Sequence, residues 1–483
     1  MIGSWFNFQG GDPKIGKECD AMKSPLKWSG RGFLNKYVSG ESIDSSQIIS
    51  LYIPILIDQA FIIVMSLLNT AMISSSGVAA VSAVSIVDSL NVFLISVFVS
   101  VATGGTVIVA QYKGSGNMAM VPKAAAGAVA SVAMIALGIA ALLMALHTPI
   151  LRLLFGSADP EVMDNARVYF LGSCMSYLGV GIVQAVSGAM RGLGKTKVSL
   201  SLSLIMNLLY VGLNVIFVLI LNYGVHGMVA SLNVARYVAA ACALFYVLKM
   251  DETLRLRLRE LMIVPWHMLK KIMYIGLPFA AEQMFFNGGK MLTQVFIVSM
   301  GTGAIAVNAI AGTIVMLYQI PSLAISITLV TVVGQCMGRR DIADARKFIK
   351  SFILLSSVSM LILAIILLPL TYPLVSLFHP PADIVDDIFW LLFMNAIAQI
   401  PLWSISFILP AGLRAAGDSR FTSVTAMLSM WLFRVVMGYV FGVVFGLGVF
   451  GVWAAMNLEW GVRGAVFLWR FRGKKWYAHR LVG

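Results

Sequence analysis

Apolar residues along this chain gather into runs far longer than a buried strand requires, and most polar residues fall in the stretches between them. Crossing a hydrocarbon core of about 30 Å takes about 20 apolar residues in a helix, whose backbone polar groups are satisfied internally. Twelve such runs can be drawn, near 48–73, 84–110, 124–147, 165–187, 198–221, 225–248, 272–298, 305–333, 348–370, 386–410, 421–445 and 447–469. The pattern predicts an all-α polytopic membrane protein with twelve transmembrane helices. At 222–224 and 446 the links are so short that one long helix could stand in place of two.

Lysine and arginine supply an independent check, because they accumulate in the cytoplasmic connections of membrane proteins. Links after odd-numbered runs are almost free of them: 74–83, 222–224, 299–304 and 371–385 hold none, and 148–164 holds only Arg152. Links after even-numbered runs are basic throughout, from Lys113 and Lys123 to Arg414 and Arg420, and the tail carries Arg470, Arg472, Lys474, Lys475 and Arg480. Both termini are therefore expected in the cytoplasm, with the chain a multi-pass protein of the cell membrane.

The two halves repeat. A shift of 224 residues lays Pro54 on Pro278, Asp58 on Glu282, Gln59 on Gln283, Gln111 on Gln335, Gly114 on Gly338 and Lys123 on Lys347. It also lays Gly224-Val225-x-Gly227 on Gly448-Val449-x-Gly451, and a shift of 223 lays Arg191, Gly194 and Lys197 on Arg414, Gly417 and Arg420. Each half holds an even number of spans, so the copies enter the membrane in the same sense and are related by a pseudo-two-fold axis along its normal. The expected organisation is a cytoplasmic segment 1–47, a six-helix lobe 48–248, a basic linker 249–271 with Arg255-x-Arg257-x-Arg259, a second lobe 272–469 and a basic tail 470–483. In two-lobed transporters the substrate sits between the lobes near the midplane.

Composition narrows the function. Of the 483 residues 59% are apolar and 12% charged, against about 45–50% and about 25% in soluble domains, which argues against an enzyme built around an aqueous core. The net charge of +14 lies in the connections, so it reports membrane orientation and no nucleic-acid partner is expected. No complete Gly-x-x-x-x-Gly-Lys-Ser/Thr motif occurs, which argues against ATP-driven transport. Gly442-x-x-x-Gly446 reads as close helix packing. Cys19, Cys174, Cys242 and Cys336 lack metal-ligand spacing and read as free thiols. The first 47 residues show no cleavable signal peptide. Neither metal nor cofactor is expected, and the chain is expected to be monomeric.

Three stretches carry a family resemblance: Ala102-Thr103-Gly104-Gly105 leading to Gln111-Tyr112-Lys113-Gly114, the Arg191-Gly192-x-Gly194-x-Thr196-Lys197 link, and Leu413-Arg414-Ala415-Ala416-Gly417-Asp418. Together they resemble the multidrug and toxic compound extrusion (MATE) family, over about residues 45 to 472. The resemblance implies a twelve-helix exporter that exchanges cytoplasmic, often cationic and amphipathic compounds for inward protons or sodium ions. A lipid-linked-precursor flippase, a major-facilitator-type transporter and a non-transporting scaffold are the rival readings.

A charge at the bilayer centre costs at least about 2.5–3.5 kcal/mol, so the few present require partners, water or a function. Glu282, four residues after Pro278, leads the candidates for ion coupling, since a proline inside a helix removes a backbone donor and can kink it, freeing carbonyls beside the carboxylate. Gln283, Asn287, Lys290 and Gln294 follow at spacings that share one helical face, a cavity lining or a polar seam between helices. Asp58 repeats the arrangement after Pro54 with Gln59 beside it, and could equally sit at the lipid interface. Asp88, with Asn91 about a turn on, is a secondary candidate. Many MATE-like sequences carry a coupling aspartate at the position of Asn69 in Asn69-Thr70; asparagine takes up no proton near neutral pH but can still ligate a cation. Arg434, always charged, is expected to pair with Glu282 or Asp88 or to face water, Lys290 to snorkel or to balance Glu282, and Arg236 to pair locally.

Overall fold

A computed structural model describes residues 39–40, 43–73, 77–155, 159–254, 256, 260–261, 263–479 and 481–482. Among them are twelve long helices: α1 Ser45–Ile73, α2 Val78–Gly114, α3 Met120–Ala145, α4 Pro160–Gly192, α5 Thr196–Ile220, α6 Gly224–Met250, α7 Trp266–Ser299, α8 Thr302–Arg339, α9 Ile342–Leu367, α10 Ala382–Ala415, α11 Ser419–Val444 and α12 Gly448–Arg472. Ten are long and apolar enough to cross a membrane; α7 and α12 fall outside that set. Length is not the reason, since they have 34 and 25 residues. These two helices carry Glu282, Gln283, Asn287, Lys290 and Gln294, and Asn457, Glu459 and Arg463, so their hydropathy is lowered by the side chains that build the polar interior.

Several boundaries move. The seventh helix begins at Trp266, after Pro265 at its N-cap, six residues before its apolar run, and takes Lys270 and Lys271 into its first turns. The linker is correspondingly shorter, and Arg255, Arg257 and Arg259 lie outside the described residues, as do Cys19 and the first 38 positions. Short helices His147–Phe155 and Thr371–Ser376 occupy links expected to be loops, and they too start 224 residues apart.

The short links are true breaks. Asn222, Gly224, Gly446 and Gly448 all have positive φ, the left-handed region that ends a helix and favours glycine. Before each break the last turns widen to a π-helix, Val215–Ile220 and Val440–Val444. After each, Gly227 and Gly451 lie where a Cβ would strike the backbone of Phe217 and Phe441 respectively, again 224 residues apart. Gly442 packs against Val452, but Gly446 serves the turn.

The lobes, α1–α6 and α7–α12, meet along α2 and α8. α2 packs on α7, its repeat partner α8 packs on α1, and the two cross one another on the pseudo-two-fold axis. The bonds across this seam lie toward one end. Gln111 Nε2 donates to the Ala415 carbonyl at 2.8 Å, and the repeat-related Gln335 Nε2 donates to that of Gly192 at 3.2 Å. Thr331 Oγ1 donates to the Arg191 carbonyl at 3.0 Å and Lys271 Nζ to Tyr112 Oη at 3.0 Å. Gly114 rests on the backbone of Gln335 and Gly338 on that of Gln111 with no room for a Cβ, while Gly104 faces Ile272 and Gly276. Every one of these groups is on the face of the basic connections. Among the described residues the bond between lobes that lies farthest toward the opposite face is Asn287 Nδ2 to Ser96 Oγ, 3.4 Å, so the seam is sealed on the basic side.

Candidate functional site

The membrane charges collect in a repeat-related pair of trios, one in each lobe, and in two further groups. In the second lobe Glu282, 8% exposed, is held by Arg414 of α10, whose Nη1 lies 3.3 and 3.2 Å from its two oxygens, and by Ser423 of α11, whose Oγ donates at 2.9 Å. Arg414 stacks over Phe279, 4.1 Å from the ring centroid. Breaking such a buried pair by removing one partner costs about 3–5 kcal/mol, because the other charge is stranded. Glu282 is therefore satisfied by protein, and its partner is neither Lys290 nor Arg434. Beside Pro278, the Ile275 carbonyl accepts from Ser419 Oγ at 2.7 Å, so that turn too is engaged by the neighbouring helix.

The first lobe holds the repeat of this trio with a different outcome. Asp58 of α1 matches Glu282 and Arg191 at the end of α4 matches Arg414, while Ser199 of α5 falls on Thr422, the neighbour of Ser423, in the 223-residue register of the arginines. Aspartate is one methylene shorter. Arg191 Nη1 donates instead to Ser199 Oγ at 3.1 Å, and Asp58 Oδ1, in a side chain 7% exposed, has no hydrogen-bond partner. The charge of Arg191 still acts on Asp58, which also bonds Ser203. Thus one trio is closed and the other is open at the carboxylate. Gln59 is half-buried beside it.

Asp88 belongs to a second network of the first lobe. Tyr169 Oη donates to it at 2.7 Å and Asn91 Nδ2 at 3.1 Å; Asn91 accepts from Tyr177 Oη at 2.7 Å and donates to Ser173 Oγ at 3.1 Å. Arg236 Nη1 donates to Ser176 Oγ at 2.6 Å within the same group. The side chain of Asn69 lies outside the described residues.

The third group is in the second lobe. Glu459, fully buried, is bound by Arg463 Nη1 at 2.8 Å and by Arg434 Nε at 3.7 Å. Arg434 thus pairs with a carboxylate of α12, and not with Glu282 or Asp88, because α11 turns it inward against α12. Arg463 Nε donates to Ser406 Oγ at 2.6 Å and its guanidinium stacks over Phe407 at 4.2 Å. The polar stripe of α7 lies alongside: Asn287 meets Ser96, Gln294 Oε1 accepts from Asn308 Nδ2 at 3.1 Å, and Asn308 Oδ1 accepts from Trp453 Nε1 at 2.9 Å. Gln283 is half-buried on the same face and Lys290 sits over Phe286, 4.9 Å from its centroid.

Arg191, Arg414, Ser199, Ser423 and Phe286 are the functional candidates that charge and periodicity passed over. The duplication held the signal, since an acid and an arginine recur together at nearly the same shift. Among the described residues no group of His, Cys, Asp and Glu could hold a metal ion.

Comparison with known proteins agrees with this architecture. The chain is 27% identical over 435 residues to "Uncharacterized transporter YisQ" of Bacillus subtilis (strain 168), covering 88% of this chain and 94% of the relative. It is 23% identical over 438 residues to "Probable multidrug resistance protein NorM" of Thermotoga maritima, covering 89% and 92%. Its fold superposes with a TM-score of 0.81, at 19% identity and over 88% and 95% of the two chains, on an outward-facing conformation of a multidrug resistance MATE family transporter. The MatE family model matches residues 54–216 and again 278–440, two segments that start 224 residues apart, as do the repeats. With both lobes matched in this register, the chain belongs to the MATE family of multidrug efflux transporters.

Proposed function

We propose that this protein is a secondary exporter of the cell membrane, with both termini cytoplasmic, that exchanges inward protons or sodium ions for cytoplasmic amphipathic organic compounds by alternating access. The observation that carries the reading is the inequality of the repeat-related trios, closed at Glu282 and open at Asp58. A coupling carboxylate has to be able to take a cation, and Asp58 Oδ1 is a buried carboxylate oxygen without a hydrogen-bond partner, whereas the Glu459 oxygens, which also lack one, are ion-paired with Arg434 and Arg463. Glu282, with both oxygens engaged, acts as the structural counterpart that ties α7 to α10 and α11.

Asp58 also lies where binding can be converted into movement. The residue whose charge it feels, Arg191, lends its carbonyl to Thr331 of the other lobe, and the next carbonyl, that of Gly192, takes Gln335. A cation on Asp58 cancels the attraction that draws Arg191 toward α1, and so shifts the turn that carries half of the seal. Such coupling requires the ion to bind the two access states with different affinity. Asp88 is a secondary cation site in the same lobe, already bonded by Tyr169 and Asn91.

Proteoliposomes with an imposed proton or sodium gradient test this. Gradient-driven dye efflux that falls to background in Asp58→Asn, with normal folding by size-exclusion chromatography, is the expected result; efflux at the unmodified rate in that variant overturns the coupling role. The polar seam and membrane carboxylates favour this reading over a flippase or a scaffold, and a scaffold would show no ion-dependent flux.

A further inference from the structure

The third charge group is not balanced. Three cations, Lys290, Arg434 and Arg463, surround one aromatic ring, with Nζ or Cζ atoms 4.9, 5.5 and 5.9 Å from the centroid of Phe286. One carboxylate, Glu459, answers them. The other trios are neutral, an acid to each arginine, so the positive surplus of the membrane interior is concentrated here, where each uncompensated charge is costly.

The unpaired hydrogen-bonding groups point the same way. Arg463 Nη2 and Trp460 Nε1 have no hydrogen-bond partner, in residues only 2% exposed; Arg434 Nε and the two Glu459 oxygens lack one as well, and are held by the ion pairs of Glu459 with Arg434 and Arg463. Arg463 Nη2 and Trp460 Nε1, outside those pairs, are donors that cannot accept. Arg463 is fixed by Ser406 and Glu459 through its other nitrogens, which leaves Nη2 pre-positioned. Around them Phe286, Phe407, Trp403 and Trp460 form an aromatic wall: Trp403 stacks on Phe407 at 4.7 Å, and Phe286 and Trp460 meet Phe407 edge-on at 6.1 and 6.2 Å.

The group has an entrance. At about 100° per residue, Lys290 lies on α7 between Phe286, which points into the second lobe, and Asn287, which faces Ser96 of the first lobe. Met284, Phe285, Met291 and Val295, exposed apolar residues, occupy the far side of the helix. Lys290, itself exposed, therefore stands at the central cleft, on the side of the molecule away from the seal.

Resting on the exporter reading, we propose that this basin binds the anionic headgroup of the transported compound, so that the substrates are organic anions (aromatic carboxylates, sulfonates or phosphate esters) and not the cations the family resemblance implies. The headgroup sits between Lys290 and the two guanidiniums, its oxygens taking Arg463 Nη2 and Trp460 Nε1, with the aromatic body against Phe286 and Phe407. A cationic compound would add a fourth positive charge to a site that already has too many.

Equilibrium binding to the purified full chain reads this without requiring transport. Three fluorescent aromatic anions, a carboxylate, a sulfonate and a phosphate ester, are titrated beside the cation ethidium. Lys290 is the variant to use because no carboxylate is stranded by its loss. At least one anion is expected to bind, at least tenfold more weakly to Lys290→Gln and with affinity recovered in Lys290→Arg, while ethidium is not weakened by Lys290→Gln. Absence of any anion whose affinity depends on Lys290 overturns the proposal, as does ethidium binding that Lys290→Gln weakens in parallel. Flux in phosphatidylcholine vesicles separates the two readings: anion binding without gradient-driven flux removes the exporter and leaves the site, and flux of ethidium but not of the anions does the reverse. Movement of labelled phosphatidylglycerol with none of the soluble anions would make the ligand a lipid headgroup and refute the assignment to a soluble organic anion.

Discussion

The seal on the basic face rests on two glycines that touch backbone, and adding one carbon to either measures how much the sealed state depends on that contact. In Gly114→Ala the new Cβ would overlap the Gln335 carbonyl, and in Gly338→Ala that of Gln111. Neither obstacle is the flexible end of a side chain, so relief requires α2 and α8 to separate. Overpacking of this kind costs about 1–3 kcal/mol. Alanine also favours the helix over glycine, by about 0.5–1 kcal/mol, but that gain is common to both access states and cancels between them. A penalty of about 2 kcal/mol borne by the sealed state alone moves the equilibrium roughly 30-fold toward opening on the basic face, at about 1.4 kcal/mol per tenfold. The two sites share one crossing, so the double variant should fall short of the sum. Spin labels at Asn117, on the turn after α2, and Ala343, in the first turn of α9 just after α8, introduced into a cysteine-free background, report the separation by double electron–electron resonance. The expected result is a second, longer distance population in each variant; an unchanged single distance in a folded Gly114→Ala and Gly338→Ala pair would refute the argument that these contacts set the state.

Two further consequences concern the trios. Arg414→Met strands the Glu282 carboxylate and should lower stability by about 3–5 kcal/mol, most of it regained when Glu282→Met is added, because an apolar replacement of a buried pair is often neutral; thermal unfolding in detergent reads both, and a double variant no better than the single one counts against the pair. Asp58→Glu restores the missing methylene, so the first lobe should close as the second does: transport is expected to fall while the melting temperature holds or rises, and full transport by this variant would show that side-chain length does not distinguish the lobes.

Much of the architecture was legible in one dimension because the bilayer is a one-dimensional constraint. Lipid demands about 20 apolar residues per crossing, basic residues are sorted by side, and a duplicated chain keeps its register; hence the twelve spans, the axis along the membrane normal and the matched breaks at Gly224 and Gly448. The helical period likewise placed Gln283, Asn287, Lys290 and Gln294 on one face. What the pattern left open was the rotation of each helix about its own axis and the identity of its neighbours, which packing against other helices decides. Glu282 lies about a quarter turn from that polar face, enough to aim it at Arg414, 132 residues away, instead of the cleft. Arg434 found Glu459 because α11 and α12 are adjacent. The difference between Asp58 and Glu282, a single methylene in the sequence, became a chemical difference only once folding brought Arg414 into contact with Glu282 while Arg191 turned to Ser199.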